Sequence, residues 1–283
     1  MNYLAFKQKW REKLSATYDT QEANNMLLIL SEDLLPFYNK IAFKDASFQL
    51  EEADLEILEP AIQRLLQHEP LQYILEKAWF YDLELKVNSN VLIPRPETEE
   101  LVTWVIENQT KTGTKILDIG TGSGCIPLTI AKHLPLSKVS ALDINPMALK
   151  VAIENGQQLN LEVDFLEMNI LDEQQWPALG KFDSIVSNPP YIPFEEKSKM
   201  HANVLNFEPH LALFVENSNA LIFYDKIAAF ALMHLEEKGQ LFFECNEFNA
   251  LACANMLREK GFQNIEIKKD LQEKDRMIRC TLA

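Results

Sequence analysis

The chain is 283 residues long, 47% hydrophobic and 24% charged, with a formal charge of −15 at neutral pH. That length holds one large domain and a smaller companion, and the composition is that of an ordinary soluble globular protein. The excess of acid argues against a nucleic-acid partner, and no window approaches the ~20 apolar residues that span a membrane. Four cysteines, Cys125, Cys245, Cys253 and Cys280, match no zinc or Cys-x-x-Cys spacing, and the five histidines form no ligand pair. No metal is expected. The first ten residues are amphipathic and lack the continuous apolar run of a leader, which suggests a cytoplasmic protein with reduced thiols.

Residues 1–77 read as a small helical domain, free of glycine. Trp10 and Leu14 pair at i, i+4, and residues 24–35 carry Met26, Leu27, Leu28, Leu30 and Leu34. Leu55, Leu58, Ile62, Leu65 and Leu66 form an apolar stripe that Pro60 interrupts, leaving two short helices or one kinked helix. Such a bundle is either stabilising bulk or a docking surface. Residues 78–94 change character. Leu83, Leu85 and Val87 alternate, Asn88-Ser89-Asn90 make a turn, and Val91, Leu92 and Ile93 follow, the pattern of a β-hairpin connector. Pro94-Arg95-Pro96-Glu97-Thr98-Glu99 then opens a helix, its acids suited to the first turn.

Residues 95–283 form the second domain. Strands are expected at 115–119, 139–142, 163–168, 184–187, 240–244, 265–267 and 277–282, with helices at 126–134, 146–159, 220–235 and 249–260. Alternation of this kind gives an α/β fold, a Rossmann-like and mainly parallel sheet covered on both faces. The stretch 193–217 is a long connection without a clear pattern, and such connections are often functional.

Four strand ends carry the chemistry. Ile116-Leu117-Asp118-Ile119 runs into Gly120-Thr121-Gly122-Ser123-Gly124, three of the chain's eight glycines at alternate positions. This is neither a dinucleotide fingerprint nor a P-loop, and alone it reads equally as a tight turn. The next strand ends at Asp143, where a carboxylate can accept from both hydroxyls of an unphosphorylated ribose. Asp143 also suits the N-cap of the following helix. The third ends at Asn169-Ile170, and Asn169 suits either an adenine edge or a turn. Together these ends favour S-adenosylmethionine over NAD, because no second nucleotide-binding half is apparent.

The strand at 184–187 stops at Asn188-Pro189-Pro190-Tyr191, a stiff turn just past a strand's carboxyl end. A carboxamide nitrogen is a poor nucleophile, and its lone pair must be aimed at the methyl carbon. Asn188 Oδ1 and the main-chain carbonyl of Pro189 can each accept one N–H, Pro190 supplies rigidity, and Tyr191 can stack on the planar amide. The tetrapeptide by itself suits an exocyclic adenine amine as well as a glutamine amide.

The chain resembles the protein-(glutamine-N(5)) methyltransferase family, which modifies the Gly-Gly-Gln loop of peptide chain release factors. The resemblance spans nearly the whole length. It rests on Pro70-Leu71-Gln72-Tyr73-Ile74, on Leu92 to Glu99, on Asp118 to Gly124, on Ser187 to Ile192, and on Lys269-Asp270-Leu271 with Arg276. Asn169 stands where members of the family usually carry Asp, and Glu76 and Asn246 where glycine is common. The resemblance implies a helical substrate-docking domain, a hairpin, and a seven-stranded methyltransferase sheet with one antiparallel strand. It implies S-adenosylmethionine as donor, with S-adenosylhomocysteine as product, held by Gly120, Thr121, Gly122, Ser123, Gly124, Asp143, Asn169, Ile170 and Asn188. Release factors would be the protein substrate of a monomeric enzyme. By the same analogy Arg95, Glu97 and Thr98 flank the cleft. Glu208-Pro209-His210 lies in the long connection 193–217, which is expected to form part of the release-factor groove.

Overall fold

The computed structural model describes residues 1–216 and 219–282. The chain divides into two units, Met1–Lys77 with His201–Phe207, and Ala78–Met200 with Glu208–Ala283. The first unit contains α1 (Tyr3–Leu14), α2 (Thr20–Leu34), α3 (Glu52–Leu66), α4 (Leu71–Leu75) and the short helix Ala202–Phe207, which is α8 in chain order. Tyr3, Phe6, Trp10 and Leu14 step along α1 at intervals of three and four, and all are buried against Leu27 and Leu30 of α2 and Leu58, Ile62 and Leu65 of α3. Asn2 and Asp19 cap α1 and α2 by accepting from main-chain N–H groups. α3 is a single helix that runs through Pro60, which lies on its exposed side, where the carbonyl deprived of its partner can be hydrated.

α4 ends at Glu76, whose φ of 55° is left-handed. A side chain there costs roughly 1 kcal/mol relative to glycine. Glu76→Gly is therefore expected to stabilise the protein by about 1 kcal/mol, read as a shift of the urea midpoint without a change in slope. Asn246 has no positive φ, so its side chain carries no such strain.

The hairpin exists but turns earlier than its sequence suggests. β1 (Lys77–Phe80) pairs with β2 (Leu83–Lys86) around Tyr81 and Asp82. Tyr81 has a φ of 56° and donates its N–H to Glu99 at 2.7 Å. Asn88 instead bends the chain locally, accepting from the Asn90 N–H at 2.9 Å. The alternation of Leu83, Leu85 and Val87 does mark buried positions; the partner strand lies upstream, through Ala78 and Phe80.

The second unit continues with α5 (Pro96–Glu107), β3 (Lys115–Ile119), α6 (Cys125–His133), β4 (Lys138–Asp143), α7 (Pro146–Leu159), β5 (Asp164–Glu167), β6 (Phe182–Ser187) and β7 (Ile192–Pro193). After α8 come α9 (His210–Leu213), β8 (Phe214–Val215), α10 (Ile222–His234), β9 (Leu235–Glu244), α11 (Ala250–Glu259), β10 (Gln263–Lys269) and β11 (Asp275–Thr281). Seven of the strands form one sheet in the order β10-β11-β9-β6-β3-β4-β5. β11 is antiparallel to both neighbours, and the pairs from β9 to β5 are parallel. This is the α/β sheet that the alternation of elements predicts.

Strand alternation assigns each residue to a face. Leu117, Ile185, Leu241, Phe243 and Ile278 join Tyr224, Ile227 and Phe230 of α10 and Leu257 of α11. Their neighbours Ile116, Val186, Phe242 and Met277 join Leu101 and Val105 of α5 and Leu128 and Ile130 of α6 on the other face. Each such fully buried side chain contributes roughly 2 kcal/mol. The connection 193–217 is more ordered than its sequence indicates: β7 and β8 pair in parallel, Ile192 with Phe214 and Pro193 with Val215. Its last residue, Asn217, lies outside the described residues. Among the described residues no helix is long and apolar enough to cross a membrane, and no cluster of three or more His, Cys, Asp or Glu is placed to hold a metal ion.

Candidate active site

A cavity opens at the carboxyl ends of β3, β4, β5 and β6, the place where open α/β sheets bind ligands. Gly120, Gly122, Asp143, Asn169, Ile170, Asn188, Pro189 and Pro190 all line it. Thr121, Ser123, Gly124 and Tyr191 are not among its lining residues.

The three glycines of the loop do different things. Gly120 and Gly122 have φ of 79° and 55°, and a Cβ on either would meet nothing within 4 Å, so both leave open space beside the main chain. The Gly120 and Thr121 N–H groups donate to the Leu142 carbonyl at 2.8 and 3.0 Å, which ties the loop to β4. Gly124, with φ 81°, is a packing glycine: a Cβ there would stand 3.1 Å from the Ala152 Cβ of α7. Thr121 and Ser123 are buried.

Asp143 braces the loop. One carboxylate oxygen accepts from the Gly122 N–H at 2.9 Å and the other from the Asn145 N–H at 2.9 Å. A carboxylate has about four acceptor positions, so one on each oxygen remains for a ligand hydroxyl. The capping alternative falls to Asn145, which accepts from the Met147 N–H at 3.0 Å and is the N-cap of α7. Burial raises the Asp143 pKa, against the hydrogen bonds from Asn145 and Gly122 that lower it. Asn169 is at once a turn former and a lining residue: its Oδ1 accepts from the Leu171 N–H at 3.0 Å. Met168, Ile170, Leu171 and Phe223 make the rest of that wall apolar.

Asp118, unassigned from sequence except as part of the motif, is fully buried, with the Thr121 side chain and the Ile119 main chain as its nearest stabilising partners. Burial pushes its pKa up to about 7, and the nearby Asp143 adds to the rise. The signal was present in the chain: an acid in the middle of the apolar run Ile116 to Ile119 is costly unless something compensates it.

The other half of the site gathers residues distant in sequence. Asn188 Nδ2 donates to Thr98 Oγ1 at 3.2 Å, and Thr98 Oγ1 donates to Glu244 Oε2 at 2.6 Å. Thr98 stands in the first turn of α5 and Glu244 ends β9. Burial pushes the Glu244 pKa up to about 7, while Thr98, Arg276 and Asn188 act in the opposite direction. Arg95 pairs with Glu208 at 2.6 Å, and Glu208 also accepts from the Ile93 N–H at 3.2 Å. Glu208 is only 4% exposed, so it fastens the long connection rather than offering itself to a groove. Arg276 pairs with the buried Asp270 at 3.1 Å. Tyr191 packs on the core near Glu244, Arg276 and Arg95, and burial raises its pKa.

The fold and this two-part site define an α/β methyltransferase. A family model described as methyltransferase small domain matches residues 98–207. The crystal structure of a methyltransferase from Pyrococcus furiosus superposes with a TM-score of 0.54 at 17% identity, over 77% of this chain and 96% of that one. The chain belongs to the release factor glutamine methyltransferase family, as its motifs imply. It is 39% identical over 278 residues to the release factor glutamine methyltransferase of Flavobacterium psychrophilum, covering 97% of each chain. The corresponding protein of Bacteroides thetaiotaomicron is 35% identical over 95% of this chain and 96% of its own.

Proposed function

We propose that this enzyme transfers a methyl group from S-adenosylmethionine to the side-chain amide nitrogen of the glutamine in the Gly-Gly-Gln motif of peptide chain release factors, in support of translation termination in the cytoplasm. The observation that carries the reading is the meeting of Asn188-Pro189-Pro190 with Gly120, Gly122 and Asp143 around one cavity. The helical unit is read as the docking surface for the rest of the factor.

The residues suit that donor. Gly120 and Gly122 admit a ligand against the main chain, Asp143 keeps two acceptor positions for ribose hydroxyls, and the wall of Met168, Ile170, Leu171 and Phe223 suits an adenine ring beside Asn169. The buried Asp118, whose charged neighbour is another acid, Asp143, favours a cationic group at the loop. When bound, the donor supplies an electrophilic methyl group on a sulfonium whose sulfur departs as the neutral thioether of S-adenosylhomocysteine.

The chain's own work is to orient the reacting groups. Asn188 Oδ1 and the Pro189 carbonyl accept the two amide hydrogens of the incoming glutamine, which turns its nitrogen lone pair toward the cavity and stabilises the positive charge growing on it. Pro189 and Pro190 hold those acceptors on a backbone with fixed φ, so little reorganisation accompanies the reaction. Asn188 is neutral and does not trap the proton. The N-methylated, protonated amide is strongly acidic and releases its proton to water without a dedicated base.

Incubating the protein with methyl-labelled donor, its release factors and adenine-containing nucleic acid tests the reading. Label is expected in the release-factor peptide that contains Gly-Gly-Gln, and none in a factor whose motif glutamine is replaced. Label in nucleic acid alone, or in neither, overturns it.

A further inference from the structure

We infer that Thr98 and Glu244 are positioning residues that fix which end of the Asn188 carboxamide faces the substrate. The inference rests on the glutamine-methylating reading and deepens it.

The argument starts from one hydrogen. A threonine hydroxyl carries a single proton and two lone pairs. The Thr98 Oγ1 to Glu244 Oε2 distance of 2.6 Å is that of a hydroxyl donating to a carboxylate, and both side chains are buried. The proton is thereby committed, and toward Asn188 the hydroxyl can offer only a lone pair. A carboxamide meets a lone pair with its NH2 end, and Asn188 Nδ2 does so at 3.2 Å, while the Glu244 carboxylate also accepts from the same side chain. The Oδ1 end is left for the cavity that Asn188 lines. The two ends of an amide are nearly equal in size, so without such a partner a half-turn about the last side-chain bond costs little. The turned amide would set NH2 against the NH2 of the substrate, donor against donor.

A carboxylate buried at the end of β9 is expensive to keep, and its neighbours explain only part of its presence. Arg276 on β11 is the opposing charge, and Arg276 is already paired with Asp270. The other titratable groups around Glu244 are Glu97 on α5, Tyr191 after β6, Tyr224 on α10, Cys245 next in the chain and Cys125 at the start of α6. None of these supplies the acceptor that Thr98 needs. Protonation of Glu244 turns that acceptor into a donor, frees the Thr98 hydrogen to point at Asn188, and removes the preference for the productive amide.

Thr98→Val keeps the shape and removes the hydroxyl, whereas Thr98→Ser keeps both lone pairs and the proton. With the wild-type enzyme methylating its release factor, Thr98→Val is expected to lower kcat about tenfold to a hundredfold with KM and donor Kd nearly unchanged, and Thr98→Ser to restore most of it. Equal kcat in wild type and Thr98→Val, or a loss that Thr98→Ser shares, overturns the relay and leaves the glutamine reading intact. Should Thr98→Val fail to fold, Glu244→Gln decides. It is the neutral counterpart of the protonated carboxyl, with an NH2 donor beside its oxygen, so kcat is expected to stay at the low level of the wild type's acid limb, and the fall below about pH 7 to vanish. Persistence of that acid limb in Glu244→Gln overturns the proposal. Failure of the wild type to label any release factor is the separate outcome that sinks the function itself.

Discussion

Asn188→Ala is expected to lower kcat for glutamine methylation by roughly one to three orders of magnitude, the usual scale for removing a positioned hydrogen-bonding group. The loss should fall on kcat more than on donor binding. The donor cavity keeps its glycines, Asp143 and its apolar wall in this variant, so a donor titration followed by calorimetry checks that the site is otherwise whole. Two things disappear together: the acceptor for one substrate N–H, and the partner that occupies Thr98. The second leaves a buried hydroxyl half satisfied, and a modest loss of stability, about 1 kcal/mol, accompanies the kinetic effect. Turnover near that of the wild type would remove Asn188 from the chemistry.

Asp143→Ala is expected to weaken donor binding by about a hundredfold or more. Hydrogen bonds to a charged acceptor are worth roughly 1.5–3 kcal/mol each, and two ligand hydroxyls lose theirs at once. The loop loses its brace as well, since the Gly122 N–H no longer meets a carboxylate. The pH dependence has a definite sign. Burial raises the Asp143 pKa in the free protein, and donating hydroxyls bind the ionised form better. Donor affinity therefore falls as pH is lowered toward that raised value, and the share of the slope that belongs to Asp143 is the share that Asp143→Asn abolishes. Isothermal titration across the acid range measures both. Affinity within threefold of the wild type in the Ala variant would exclude Asp143 as the ribose acceptor.

What the sequence made legible was contiguous. The glycine loop, the acid at the end of the next strand and the proline turn are each written within a dozen residues, because each must solve a local backbone problem: positive φ at Gly120 and Gly122, a stiff stop after β6. The strands were legible for a related reason. In β6 and the last four residues of β9 nearly every residue is buried, and a short apolar run bounded by turn formers can be little else. The hairpin was misplaced because two turn-like stretches compete there, and the one that closes it, Tyr81-Asp82, has no glycine or asparagine to announce a left-handed residue. Most of what organises Asn188 was not legible at all. Thr98 lies 90 residues from Asn188 and 146 from Glu244, and no periodicity or spacing links them. The same holds for Arg95 and Glu208, 113 residues apart. Tyr191, read from sequence as a ring for the substrate amide, is partly buried and packs on the core beside Glu244, a contact that only the packing of α10 and β9 reveals.

The strand order also dictates when the site comes into being as the chain leaves the ribosome. β3, β4 and β5 are consecutive neighbours, so Gly120, Asp143 and Asn169 can assemble from one continuous stretch ending soon after Asn169. β6 then inserts beside β3 and brings Asn188, but the strand that flanks β6 on its far side is β9, and its last residue is Glu244. The cavity itself is finished later, since Asn188 and Phe223 also line it and both follow Asn169 in the chain. The acceptor half waits longer still, until the strand that ends at Glu244 has been made.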